Sequence, residues 1–182
     1  MRKYQNDSLP GIPEQIPVLS IPDIKMSNTV DFFEWKKTLK PVVNETPLTF
    51  ESLGQGQGYV LYAKHFRQPV KGKLQINGLR DYALVYVNGR KVGELNRVLK
   101  IYSLDITIPV NGDLEILVEN MGRINYGAEI PDNQKGIILP VMINNDEING
   151  NWEMYKIPME FVPSLKNIHV TEITGRPAFY SG

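Results

Sequence analysis

Between Pro47 and Glu160 the apolar positions recur in short alternating runs, with no long stretch at helical spacing. Leu114, Ile116 and Val118 alternate with Glu115, Leu117 and Glu119, the period of a strand with one face on a core. Runs of this kind predict strands near Leu48–Glu51, Tyr59–Phe66, Lys73–Ile76, Tyr82–Val87, Lys91–Leu95, Tyr102–Ile108, Leu114–Val118, Ile137–Ile143 and Glu153–Glu160. Asn88-Gly89 stands between two of them, a strong hairpin signal because both residues tolerate the positive φ of a type I′ turn. Asn111-Gly112 and Asn149-Gly150 punctuate later strands. Many short strands at regular spacing, with turn residues between, predict an all-β sandwich or barrel.

The flanks have a different texture. Residues 1–25 are interrupted by prolines, each lacking an N–H and pushing the residue before it towards extended backbone. They predict an extended strap, anchored on a neighbouring surface by Ile12, Ile16, Val18 and Ile21. A short helix or compact turn is expected next, capped by Ser27 or Asn28, carrying Phe32, Phe33 and Trp35, and ending before Pro41. Near the C-terminus Ile168, Val170 and Ile173 alternate again before the chain stops at AFYSG. Three parts are therefore distinguished: a strap and turn over 1–46, the β-sandwich over 47–160, and a segment over 161–182 that alternates again and then stops abruptly.

Composition narrows the chemistry. The 182 residues carry 20 basic and 20 acidic side chains, which removes the electrostatic argument for nucleic acid or an anionic membrane as partner. No apolar run approaches the ~20 residues that span a bilayer. With no cysteine and only His65 and His169, thiolate and multi-histidine metal sites are excluded. No metal and no cofactor is expected.

Several patterns resemble chemistry without supplying it. Gly54–Tyr59 (GQGQGY) lacks the following helix and the lysine that a phosphate cradle needs. Glu115, Glu119, Glu129 and Asp132 could in principle supply a glycosidase pair, but strand edges and loops are where solvated carboxylates belong. Asp132, Asn133 and Asp146 lack calcium-loop spacing, and neither histidine sits beside a recognisable nucleophile. Lys71, Lys73, Arg90 and Lys91 read as a solvated face.

One stretch stands apart. After the Leu114–Val118 strand the chain breaks into ENMGRINYG, bringing Glu119, Arg123, Asn125 and Tyr126 together with Gly122 and Gly127. Planar multi-donor groups with an aromatic ring suit a sugar. The same set suits a pinned corner, with Arg123 bonded to Glu119 or a backbone carbonyl and the glycines allowing the bend.

LVENMGRINYG, with TPLTFESLGQGQGYVLYAK and LRDYALVYVNGRKVGEL before it, resembles the non-catalytic β-region of family 35 glycoside hydrolases, the retaining β-galactosidases. The pieces KGII, NWEMYKIPM and RPAFYSG follow in the order expected there. The resemblance implies a jelly-roll sandwich of the galactose-binding-domain type, following a (β/α)₈ barrel that holds both catalytic glutamates. It implies partners within one polypeptide, namely that barrel and a following β-domain whose first strand would be AFYSG. It implies a galactoside substrate for the whole enzyme and no catalytic residue in this chain. Tyr126, with Asn125 beside it, would lie near the substrate on the leaving-group side, while Arg123, Glu119, Gly122 and Gly127 would hold the loop and domain packing. Asp132-Asn133-Gln134 departs from the acidic-Phe pair that often precedes the family's Lys-Gly, here Lys135-Gly136. Members of the family are commonly secreted, periplasmic or lysosomal. The alternative function on the same fold is an autonomous galactoside-binding module.

Overall fold

The computed structural model describes residues 11, 13–23, 26, 28–160 and 176–181. Ile12, Ser27, Ile168, His169, Val170 and Ile173, named above, lie outside them. Fourteen strands and one helix are described.

The largest sheet has six antiparallel strands. β2 (Val42–Asn44) lies at one edge, followed by β13 (Trp152–Ile157), β3 (Tyr59–Phe66), β9 (Gly112–Glu119), β6 (Tyr82–Val87) and β7 (Arg90–Asn96). A four-stranded sheet faces it, built in the order β12 (Asp146–Glu147), β11 (Met142–Ile143), β4 (Val70–Gln75) and β8 (Ser103–Ile108). A short pair, β5 (Leu79–Arg80) with β10 (Gly136–Ile137), closes one rim. Beside the hairpins β6–β7 and β11–β12, strands distant in sequence pair, β3 with β9 and β13 and β4 with β8, as in a jelly-roll sandwich.

Period-2 alternation decides what lies between the sheets. Val60 and Tyr62 on β3, Val85 on β6, Leu114, Ile116 and Val118 on β9 and Trp152 and Met154 on β13 point inward and are buried with Leu74, Ile106 and Ile108 of the opposite sheet. Trp152 is fully buried and donates its indole N–H to the Ile148 carbonyl at 2.8 Å, so its one polar atom costs nothing on burial. The turns follow their chemistry. Asn88 and Gly89 adopt φ of 50° and 72° between Val87 and Arg90, and Asn144-Asn145 (52° and 70°) does the same between Ile143 and Asp146.

The outer face of the six-stranded sheet is also covered. Leu61, Tyr86, Leu117 and Tyr155 point there and pack against α1 (Phe32–Lys36), which supplies Phe32, Phe33 and Trp35. β1 (Asn28–Asp31) pairs with β14 (Ala178–Ser181) beside that helix, and Phe179 lies 4.9 Å from the Trp35 ring.

Three expectations are corrected. Leu48–Glu51 is a turn rather than a strand: the Thr49 hydroxyl accepts the Ser52 N–H at 3.1 Å, and the Leu53 and Gly54 N–H groups bond back to Thr49 and Glu51. The helix is capped by Asp31, whose Oδ1 accepts the N–H groups of Phe33 (2.8 Å) and Glu34 (3.0 Å), because Asn28 is drawn into a strand. Ile16, Val18 and Ile21, expected as anchors on a neighbouring surface, are 88%, 94% and 67% exposed among the described residues. Val42–Asn44, N-terminal of the expected sandwich, is an edge strand of the large sheet.

Candidate functional site

β9 ends at Glu119 and the chain leaves the sandwich as a loop, Asn120 to Asp132, in which residues 121–132 are exposed. Gly122 and Gly127 take φ of 100° and 114° with nothing within 4 Å of where a Cβ would sit, so they serve backbone direction rather than close packing. Met121, Ile124, Tyr126 and Ile130 are 57%, 44%, 91% and 48% exposed. The loop presents apolar side chains to solvent, Tyr126 furthest of all.

Its base is stapled by two carboxylates from other parts of the chain. Asp81, at the start of β6, takes the Met121 N–H (3.2 Å), the Arg97 guanidinium (2.9 Å) and the Lys135 ammonium (2.5 Å). Burial alone would raise the Asp81 carboxyl, but the hydrogen bonds from Lys135 and Arg97 outweigh it and hold the pKa below its ordinary value. Glu51, in the turn that replaces the expected strand, pairs with Arg123 at 2.7 Å and accepts the Lys135 N–H on both oxygens, at 3.2 and 3.1 Å. Its carboxyl is likewise lowered, burial being outweighed by backbone N–H groups and Arg123. Each carboxylate therefore grips the loop where it leaves the sheet and where it returns.

The Arg123 guanidinium also donates to the carbonyls of Asn133 (3.0 Å) and Gly56 (3.4 Å), and the Asn120 amide reaches the same Gly56 carbonyl at 2.9 Å. The GQGQG stretch is thus an acceptor for this loop. The departure at Asp132-Asn133-Gln134 leaves the Arg123 contact intact because it is made to a main-chain oxygen. Gly136 is needed at the loop's return: at φ 96° a Cβ there would lie 2.4 Å from the Tyr62 hydroxyl. Beside the staples, Asp81, Arg97, Val98, Met121, Arg123 and Lys135 line a shallow cavity of about 420 Å³.

Of the residues singled out in sequence, Arg123 is brought against Glu51 rather than Glu119, whose carbonyl instead accepts the Asp81 N–H. Asn125 and Tyr126 project from the loop. Glu115 is buried at mid-strand, paired with Lys36 at 2.8 Å and accepting the Gly89 N–H. Glu129 and Asp132 are exposed on the loop, and Asp146 on β12. His65 Nδ1 lies 2.7 Å from Asp113 on a half-exposed strand end. Glu51, Asp81 and Lys135 were missed. The signal for Asp81 and Lys135 is an acid in RDY and a base in KG, two short motifs far apart in sequence.

The fold and its projecting loop define an all-β jelly-roll domain with a stapled apolar rim. The family model described as "Beta-galactosidase, first all-beta domain" matches residues 47–158, and the chain belongs to that family. It is 34% identical to a beta-galactosidase of Xanthomonas manihotis over 95% of this chain and 28% of that protein. It is 30% identical to the mouse beta-galactosidase-1-like protein over 98% of this chain and 29% of the relative. Against human beta-galactosidase the identity is 36% over 66% of this chain and 18% of that protein. The chain spans less than a third of the length of the curated relatives it matches.

Proposed function

We propose that this chain is the accessory, non-catalytic sandwich of a retaining β-galactosidase of glycoside hydrolase family 35, packing on the catalytic barrel and shaping the aglycone side of its site. Residues 1–41 lead in from the barrel, the jelly roll runs from the edge strand at Val42 to 160, and 161–182 lead into a second β-domain. The acid/base and nucleophile reside on the barrel. Tyr126 and Asn125 face the leaving group of a terminal β-galactoside, and Arg123, Gly122 and Gly127 keep the loop in its projecting shape.

The observation that carries this reading is a tyrosine 91% exposed at the tip of a loop whose base is held by two lowered carboxylates. A side chain presented this way, with Met121, Ile124 and Ile130 around it, has the apolar character of an interface core. A retaining glycosidase needs two carboxylates about 5 Å apart, and the carboxylates at the base of this loop are committed to ion pairs instead. The test compares hydrolysis of a nitrophenyl β-galactoside by the longer source polypeptide and by the purified 182-residue chain. Turnover by the longer form alone is expected. Turnover by the isolated chain would overturn the assignment of catalysis to another domain, and galactose-dependent NMR shifts at Tyr126 in the isolated chain would favour an autonomous sugar-binding module.

A further inference from the structure

The strands β1 and β14 come from opposite ends of the described chain and, among the described residues, form a two-stranded sheet separate from both sheets of the sandwich. They lie outside the segment 47–158 that matches the family model. Yet they are fixed in place. Phe179 packs on Trp35 and Phe32, Arg176 pairs with Asp31 at 3.3 Å and donates to the Gly89 carbonyl at 3.2 Å, and its guanidinium lies 5.2 Å from the Phe33 ring centre. A two-stranded ribbon is marginal alone, and an unpaired strand edge is a template for another strand.

The register says which groups are open. The Phe32 N–H bonds the Pro177 carbonyl at 3.0 Å, opposite it in the ladder. By the alternation of an antiparallel pair, Val30 and Phe179 point their main-chain groups inward, and Ala178 and Tyr180 point theirs away from β1. The Tyr180 side chain is 56% exposed.

We propose that β1 and β14 are two strands of the sheet of the domain that follows in the longer polypeptide, whose next strand pairs with the free edge of β14. The jelly roll is then an insertion between two strands of one sheet, and a segment preceding it in sequence is built into a domain that comes after it. This rests on the reading of the chain as one part of a β-galactosidase polypeptide. Consecutive strands most often pair, which is why the occupant is assigned to the β14 edge. The geometry also separates the two contacts. Arg176 reaches Gly89, in the turn next to the Gly112 end of β9, whereas the stapled loop leaves from the Glu119 end, about 24 Å away at ~3.4 Å per residue. The following domain therefore sits against the α1 face of the sandwich, away from Tyr126.

Hydrogen exchange, read residue by residue in the longer polypeptide and in the 182-residue chain, tests this. The Ala178 and Tyr180 amides should exchange at least about 100-fold more slowly in the longer form, while Phe179 is protected in both. Equal exchange of Ala178 and Tyr180 in the two forms would overturn the proposal. Val30→Pro removes an N–H bonded to β14; in the longer form it should speed exchange throughout the following domain. If only the ribbon opens and that domain is unchanged, β1 is a linker and the proposal fails. The same data report on Met121–Ile130 separately. A loop still unprotected in the longer form, beside a protected ribbon, would refute packing on the barrel and leave this inference standing.

Discussion

Replacing Lys135 by Met tests the staple where its energy is largest. The Lys135 and Asp81 side chains are only 3% and 8% exposed, and the ammonium lies 2.5 Å from the carboxylate. Removing one partner of a buried pair leaves an uncompensated charge and costs about 3–5 kcal/mol. Asp81 keeps the Arg97 bond and the Met121 N–H, and Met preserves the aliphatic stem, so the low end, about 3 kcal/mol, is expected. For a chain of this size that is a fall in Tm of about 6–12 °C, read by far-UV circular dichroism and confirmed by a lower urea midpoint at unchanged m-value. The double variant with Asp81→Asn should recover at least about 1 kcal/mol, because the orphaned charge is gone. The pH dependence has a fixed sign. Asp81 has a folded pKa below its ordinary 3.8, so its contribution is present above about pH 4 and is lost as pH falls through the folded value. The gap between wild type and K135M should accordingly narrow below pH 4. A loss under about 1 kcal/mol at pH 7, or a gap that widens in acid, would refute the account of this ion pair.

Three further outcomes follow from the same geometry. Gly136→Ala combines a positive φ with a Cβ 2.4 Å from the Tyr62 hydroxyl and should cost about 2–4 kcal/mol, measured by urea denaturation. Glu51→Gln removes the charge partner of Arg123 while keeping the side chain's size; limited trypsin digestion should then cut after Arg123 several-fold faster, with global Tm changed by no more than a few degrees, and an unchanged cutting rate would show that the carbonyls of Gly56 and Asn133 suffice. Tyr126→Ala in the isolated chain should leave stability within about 0.5 kcal/mol, as befits an exposed loop residue, and a larger loss by thermal melting would mean that the ring packs on the domain.

The sandwich was legible because its alternation is clean. Val60 and Tyr62, or Leu114, Ile116 and Val118, could face only one core, and Asn88-Gly89 could only turn. The second covered face left a signal in Leu61, Leu117 and Tyr155, apolar residues at positions where a solvated face would be polar; read as scattered exceptions, they hide the docking of α1. The Leu48–Glu51 error arose because Phe50 is buried at 0% exposure in a turn, so an apolar residue between polar ones mimicked a strand. Asn144-Asn145 gives a weaker hairpin signal than Asn-Gly because asparagine takes positive φ less often than glycine, although it makes the same hairpin. At the loop, residue types flagged Arg123 and Tyr126, but partner choice is a matter of tertiary distance. Glu51 lies far back in the chain, yet its carboxylate is the one 2.7 Å from Arg123, brought there by the turn after Thr49. The strap is the converse case: Ile16, Val18 and Ile21 read as anchors on a neighbouring surface, and among the described residues they are exposed.

The central proposal is that the Tyr126 loop borders the leaving-group side of a β-galactosidase site, and the kinetics of Tyr126→Ala in the β-galactosidase polypeptide that this proposal implies test it most directly. Loss of an aromatic contact worth about 0.7–1.4 kcal/mol would lower kcat/KM about 3- to 10-fold for a galactoside with a bulky aryl aglycone, and less for one with a methyl aglycone, with Tm unchanged. The account predicts that shift in aglycone preference. Identical kcat/KM values for both substrates in wild type and variant would contradict it.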